Sequence, residues 1–402
     1  MIKFSEYHNL QEGGAFGHLS NVFDINYTKA KLIEIINDSI ELKFTLPEIK
    51  TDAINLMVSV RNGKVIAARN KSHLKNYGEN AMGIKEIAEK FAGREIGEDY
   101  RQAMVDLQNA IQSLSVKQQE KVFNNGKNWM SIEVMSSTAK NIIDYQGIVE
   151  LRLHGTIEHN EQGEKISQIN KEAARMFDGM LRQRKAERQS KFTIRKLTRA
   201  EFNPIKNSNK YKKELVTKIK NILGSNKDID SYKINELTKI ISKKTSDKQL
   251  TSKLIDRWVR GVKTPTITAI YKEYPNDKAW IQSMDKEIGY IMKNIMLPIE
   301  EVFLKLGGLV MGSAKVFMSL NPEETKKDLH KKLQDAIQLI NTKGDEKAKA
   351  KLKLELRRFE AAGGVNSISA DEGVTFFVGD DFLKLTGSFA PLNQILGMLY
   401  SL

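Results

Sequence analysis

Strand-like periodicity stands at both ends of this chain and helical periodicity fills the middle, and that order restricts the fold more than any other feature. Between about Leu42 and Asn70 the apolar period is close to two. Ile54–Val60 and Val65–Arg69 read as strands joined at Asn62-Gly63, a pair suited to the positive φ angles of a tight hairpin turn. Helical spacing over 84–122 is followed by strand-like Trp129–Val134 and Ile148–His154. From Ile166 to about Phe359 nearly everything reads as helix, and Gly373–Val378 and Phe382–Thr386 return to strands around Gly379-Asp380-Asp381. The last 40 or so residues are too few to bury a core alone. The expectation is an α+β fold: a mixed or antiparallel-sheet core from residues 1–160 and 363–402, interrupted by a large, mainly helical basic insertion over 161–362. Strands from both ends should share a sheet.

Local signals support these elements. Thr28 can cap a helix with apolar positions at Leu32, Ile35, Ile36 and Ile40. Asn321-Pro322-Glu323-Glu324 has the form of a helix start, with a capping Asn, Pro at the first position and acids facing the dipole. Gly363-Gly364 ends that run, and Gly13, Gly14 and Gly17 mark a turn near His18. His18 and His154 read as structural residues, and the Met/Leu stripe over 291–318 as core.

Composition removes several classes of chemistry. With no cysteine, disulfides, thiolate catalysis and cysteine-held zinc are excluded. Only six histidines remain, with no HExxH pair, so any metal should be a hard cation held by carboxylates and phosphate. No apolar run approaches the roughly 18 residues of a spanning helix, and a signal peptide pattern is missing, so a cytoplasmic protein without a membrane partner is expected. The net charge of +14 is concentrated: residues 181–260 hold 23 Lys/Arg against 8 Asp/Glu, a local +15. That segment is expected to face a polyanion, RNA or DNA, through Arg182, Arg184, Lys185 and Arg188. A lysine-rich coding bias would instead give solvated helices, but it would spread the charge evenly.

Five short motifs follow one another in order. Glu48-Ile-Lys50-Thr-Asp52-Ala53 precedes the hairpin, Arg69-Asn70 closes it, and Glu133 lies within a later strand. Glu372-Gly-Val-Thr375 and Lys384-Leu-Thr386 lie near the carboxyl end. This succession resembles that of the covalent nucleotidyltransferases, the class containing RNA and DNA ligases. The resemblance implies Lys50 as the nucleophile toward ATP, Glu372 as the Mg²⁺ carboxylate, and Lys384 on the α-phosphate. It further implies Glu48, Asp52, Arg69 and Glu133 as nucleotide-binding residues. Ala53 stands where the family has glycine and Thr386 where it has a second lysine.

Ala68–Asn76, Leu352–Arg358 and Lys384–Gln394 resemble, as does most of the chain, an uncharacterised family of large tailed-bacteriophage proteins. That implies host cytoplasm and genome-related work. The short stretch after Lys384 leaves no room for the carboxyl-terminal domain of DNA ligases, so an RNA-ligase-like transferase working through lysyl-AMP is the expectation. Its rival is a non-catalytic nucleic-acid-binding or phage structural protein that retains the fold.

Overall fold

The computed structural model describes residues 19–138, 141–184 and 190–401. Among them the chain forms an α+β fold with two sheets. The first strands are β1 (Ser20–Asn21), β2 (Thr45–Lys50), β3 (Ile54–Arg61) and β4 (Lys64–Ala68). They are followed by β5 (Asn128–Met135), β6 (Glu150–Glu158), β7 (Thr193–Lys196), β8 (Gly373–Val378) and β9 (Asp381–Leu385). A five-stranded sheet runs in the order β4-β3-β5-β6-β7, antiparallel except for the parallel β6–β7 pair. A four-stranded sheet runs β1-β9-β8-β2, with β2, β8 and β9 antiparallel and β1 parallel to β9.

The β3–β4 turn is the one Asn62-Gly63 specifies, with φ values of 51° and 72°. Such angles match the right-handed strand twist and admit Asn and Gly at little steric cost. Strands from both chain ends do share a sheet, through β2 and β8. The C-terminal strands stay out of the five-stranded sheet.

Helices α1 (Lys29–Ile40), α2 (Ile84–Lys90), α3 (Glu95–Gln112), α4 (Val116–Phe123) and α5 (Lys171–Arg184) belong to the first half. The second half holds α6 (Ser208–Leu223), α7 (Ile229–Ile241), α8 (Lys248–Trp258) and α9 (Ile267–Glu273). The long α10 (Lys278–Gly312), α11 (Pro322–Lys343), α12 (Glu346–Ala361) and α13 (Phe389–Gly397) complete it. Thr28 caps α1, its hydroxyl accepting from the Lys31 amide at 3.2 Å. Pro322 opens α11 as expected, but the Asn321 side chain makes no capping bond.

Two cores divide the molecule differently from the periodicity. One lies on the five-stranded sheet: Leu56, Val58, Ile132 and Leu153 pack with Met104, Leu107 and Phe123, and also with Phe177, Phe192 and Ile194. The stretch 171–196, expected within a helical run, is thus part of the first sheet's packing and contains a strand. The other core joins α1, the four-stranded sheet and the helices from α6 onward. The stripe of α10 lies in it, Phe303, Leu306 and Val310 being fully or nearly buried. Close backbone approach fixes α10 against the C-terminal segment: a Cβ on Gly307 would meet the Gly387 nitrogen at 2.5 Å, and one on Gly308 the Ala362 carbonyl at 2.0 Å. No described helix is long and apolar enough to cross a membrane.

Candidate functional site

Strand alternation sets out the first row of the site. On β2, Pro47 and Ile49 are buried, Ile49 in the core, while Glu48 and Lys50 share the opposite face. Register then aligns residues distant in sequence: Glu48 faces Thr375, which faces Lys384, and Lys50 faces Gly373. Gly373 has no side chain because there is no room for one. A Cβ there would meet the Leu385 carbonyl oxygen at 2.2 Å and the Thr386 Cα at 2.9 Å.

Glu372 joins the two lysines. Its Oε2 accepts from Lys50 Nζ at 2.7 Å, and its Oε1 is 3.9 Å from Lys384 Nζ. Burial opposes the charge on Lys50, but Glu372, Glu133 and Asp52 outweigh it and hold the ammonium above the ordinary lysine range. Those carboxylates make the resting Lys50 a cation.

Asp52 uses its carboxylate differently from the expectation of a nucleotide contact. It accepts from the amides of Ile142 at 2.8 Å and Ile143 at 2.9 Å, and from Asn141 Nδ2 at 3.2 Å. Its own amide donates to Tyr145 Oη at 2.9 Å. Burial, reinforced by Glu372, pushes its carboxyl up to about 7 against the opposing pull of Ile143, Asn141 and Lys50. Asp52 therefore pins the 141–145 segment behind Lys50. Ala53 is not among the described residues with positive φ, so an alanine there needs no glycine-like backbone.

Glu133 arrives from β5, opposite Asn55 and Arg152. The β5–β6 register shifts between Ser131 and Ile132, leaving His154 as the extra residue of a bulge. A bulge re-aims a side chain, and His154 Nε2 lies 2.8 Å from Glu133 Oε1. The other Glu133 oxygen is buried and has no hydrogen-bond partner among the described residues. An unsatisfied buried acceptor is costly unless something fills it.

Arg69 is braced nearby. It donates from Nη1 to the Asn55 carbonyl and to Tyr100 Oη, both at 2.7 Å, with its guanidinium 5.5 Å from the Tyr100 ring centre and 5.8 Å from that of Phe91. Asn70 instead caps the following turn, accepting from the His73 amide at 3.2 Å.

The sequence reading missed Lys171. At the start of α5 its Nζ pairs with Glu48 and lies 4.2 Å from the Phe382 ring centre. Burial lowers its pKa, against the pull of Glu48. A lysine on the same stripe as Ala174 and Leu181, both buried, was the available signal. The charges of Glu48 and Glu133 both act on it, tying the two sheets together electrostatically.

Of the expected polyanion contacts, only the Arg182 side chain lies within the described residues. Arg182 is largely exposed and pairs with Asp178 at 3.0 Å. The Arg184 side chain, Lys185, Arg188 and His18 lie outside the described residues. Nor do three acidic or imidazole groups converge, among the described residues, to hold a metal by themselves. Mg²⁺ at this site would depend on Glu372 and on oxygens brought by a phosphorylated ligand. No family model matches the chain, and comparison with curated proteins and with solved structures gives no match either.

Proposed function

We propose that the chain is an ATP-dependent covalent nucleotidyltransferase of the RNA-ligase-like kind, acting on a polynucleotide. The observation that carries this reading is the meeting of Lys50, Glu372 and Lys384, beside a Glu133 oxygen with no hydrogen-bond partner among the described residues. Sequence separation of more than 300 residues between Lys50 and Glu372 makes this a product of folding rather than proximity. A ribose hydroxyl would satisfy the open Glu133 acceptor, Arg69 would flank the sugar, and Lys384 would neutralise the α-phosphate.

The chemistry follows from the resting ion pair. Glu372 would hold Mg²⁺, which when bound would neutralise the polyphosphate charge, and the burial that opposes charge on Lys50 would favour release of its ammonium proton to solvent as the nucleotide binds. The Lys50 Nζ lone pair then forms a bond to the α-phosphorus, the bond to the bridging oxygen breaks, and pyrophosphate leaves with that electron pair. The AMP would pass from Lys50 to a polynucleotide 5′-phosphate.

Incubation with α-³²P-labelled ATP and Mg²⁺, followed by denaturing electrophoresis, tests the assignment. Label that survives denaturation and disappears in both Lys50→Ala and Lys50→Arg is the expected result, since a guanidinium stays protonated and cannot attack. Labelling of both variants at the parental level would exclude Lys50. No label on the parent chain would favour the non-catalytic reading, for which the full pairing of Lys50, Lys171 and His154 with carboxylates speaks.

A further inference from the structure

A cavity of about 380 Å³ opens where the two sheets meet, beside the cluster but lined by other residues. The chain after β7 builds this corner by running antiparallel to β2: the Ile49 amide donates to the Thr198 carbonyl at 2.9 Å, and the Ala200 amide to the Pro47 carbonyl at 2.9 Å. Leu46, Pro47 and Leu197 give the cavity an apolar floor, and Arg175, Lys196 and Arg199 give it a cationic rim. Glu48 also lines it, but Lys171 already neutralises that carboxylate.

Two of the rim cations have no competing ion-pair partner among the described residues. Lys196 and Arg199 are exposed and form no ion pair among the described residues. Arg175 pairs with Glu172 on its own helix, which leaves several of its donors uncommitted. Leu46 adds an independent sign. It is exposed, stands at the β2 bulge, and holds a φ of 50°. A leucine in the left-handed region is strained, and such residues cluster at ligand-binding positions.

We propose that this cavity binds a single-stranded polynucleotide, with phosphates on Arg175, Lys196 and Arg199 and sugar or base faces over Leu46, Pro47 and Leu197. Free phosphate has no use for an apolar floor. A repeating anion also suits the chain that follows, in which Lys206, Lys210, Lys213 and Lys220 are exposed and form no ion pair among the described residues. None of the six contact residues belongs to the Lys50 cluster, so the binding stands whether or not Lys50 attacks ATP.

Fluorescence anisotropy with a short 3′-labelled single-stranded RNA and DNA, from about 50 to 200 mM salt, tests it. Lys196→Glu with Arg199→Glu should weaken binding at least about tenfold at the lower salt and flatten the log–log salt slope by about 1.4, two contacts at about 0.7 each. The neutral pair Lys196→Gln with Arg199→Gln should act in the same direction, with circular dichroism unchanged in both. A parent that binds through these residues yet takes no label from ATP would sink the transferase reading and sustain this one. Parental affinity and salt slope in both double variants would overturn the proposal. So would tight binding of tripolyphosphate without oligonucleotide, or polyglutamate binding as tightly and through the same residues.

Discussion

Replacing Lys50 by methionine measures how strongly the site depends on its central ion pair. Two unit charges about 4 Å apart attract by about 4 kcal/mol at an effective dielectric of about 20. Removing one partner of a buried pair strands the other and costs about 3–5 kcal/mol. Two features reduce that here. The Lys50 and Glu372 side chains keep 15% and 12% of their exposure, and Lys384 stands 3.9 Å from the second Glu372 oxygen, ready to compensate. The expected cost of Lys50→Met is therefore about 2–3 kcal/mol. Glu372→Gln should cost a similar amount, because Lys50 would keep only Glu133 and Asp52 as attracting charges. In the double variant neither charge is stranded, so the two costs should fall short of additivity by about 2 kcal/mol. The assay is amide hydrogen exchange of the peptides covering 45–50 and 373–378, the paired strands β2 and β8. This reads local opening and needs no two-state unfolding of the whole chain. A coupling of 2 kcal/mol is about a thirtyfold difference in exchange rate. Coupling below about 0.5 kcal/mol would refute the reasoning, since it would mean that the pair is solvated and contributes little.

Further outcomes follow from the same geometry. Gly373→Ala should lower the melting temperature markedly, by an overpacking cost of about 3 kcal/mol, because its Cβ would meet backbone atoms of Leu385 and Thr386; a variant melting with the parent would contradict the close approach. Burial pushes the Asp371 carboxyl up to about 7, against the pull of the Met318 amide and Tyr145. A carboxyl raised on folding contributes stability that is full below the ordinary aspartate range and is lost as pH rises through its folded value. The parent's denaturant midpoint should thus fall between about pH 4 and about pH 7. Asp371→Asn should flatten that fall, and an equally steep profile would show that Asp371 does not titrate as stated.

Much of the fold was written locally. Hairpin, cap and strand alternation depend on neighbours within a few residues, so Asn62-Gly63, Thr28 and the run through β8 and β9 could be read in advance. Lys50, Glu372 and Lys384 could be listed as candidates because their types and order are visible in one dimension. Arg69 and Glu133 were legible in the same way. The bulge that turns His154 toward Glu133 was not, since a single extra residue in a ladder depends on the partner strand's register. Lys171 escaped for a related reason: its burial is decided by Glu48 and Phe382, which lie far from it in the chain.

The sequence by itself determined the α+β alternation, the absence of cysteine chemistry, and the concentration of positive charge in one segment, because each is a property of composition or short-range spacing. Tertiary structure decided which strands share a sheet, where the two cores divide, and which carboxylate meets which lysine. Those outcomes depend on pairing register and on the packing of segments hundreds of residues apart. Burial then acted on the same side chains to set their charge, holding Lys50 as a cation beside Glu372 while raising Asp52 toward neutrality. No local pattern contains that information, since desolvation and Coulomb attraction depend on distance in space.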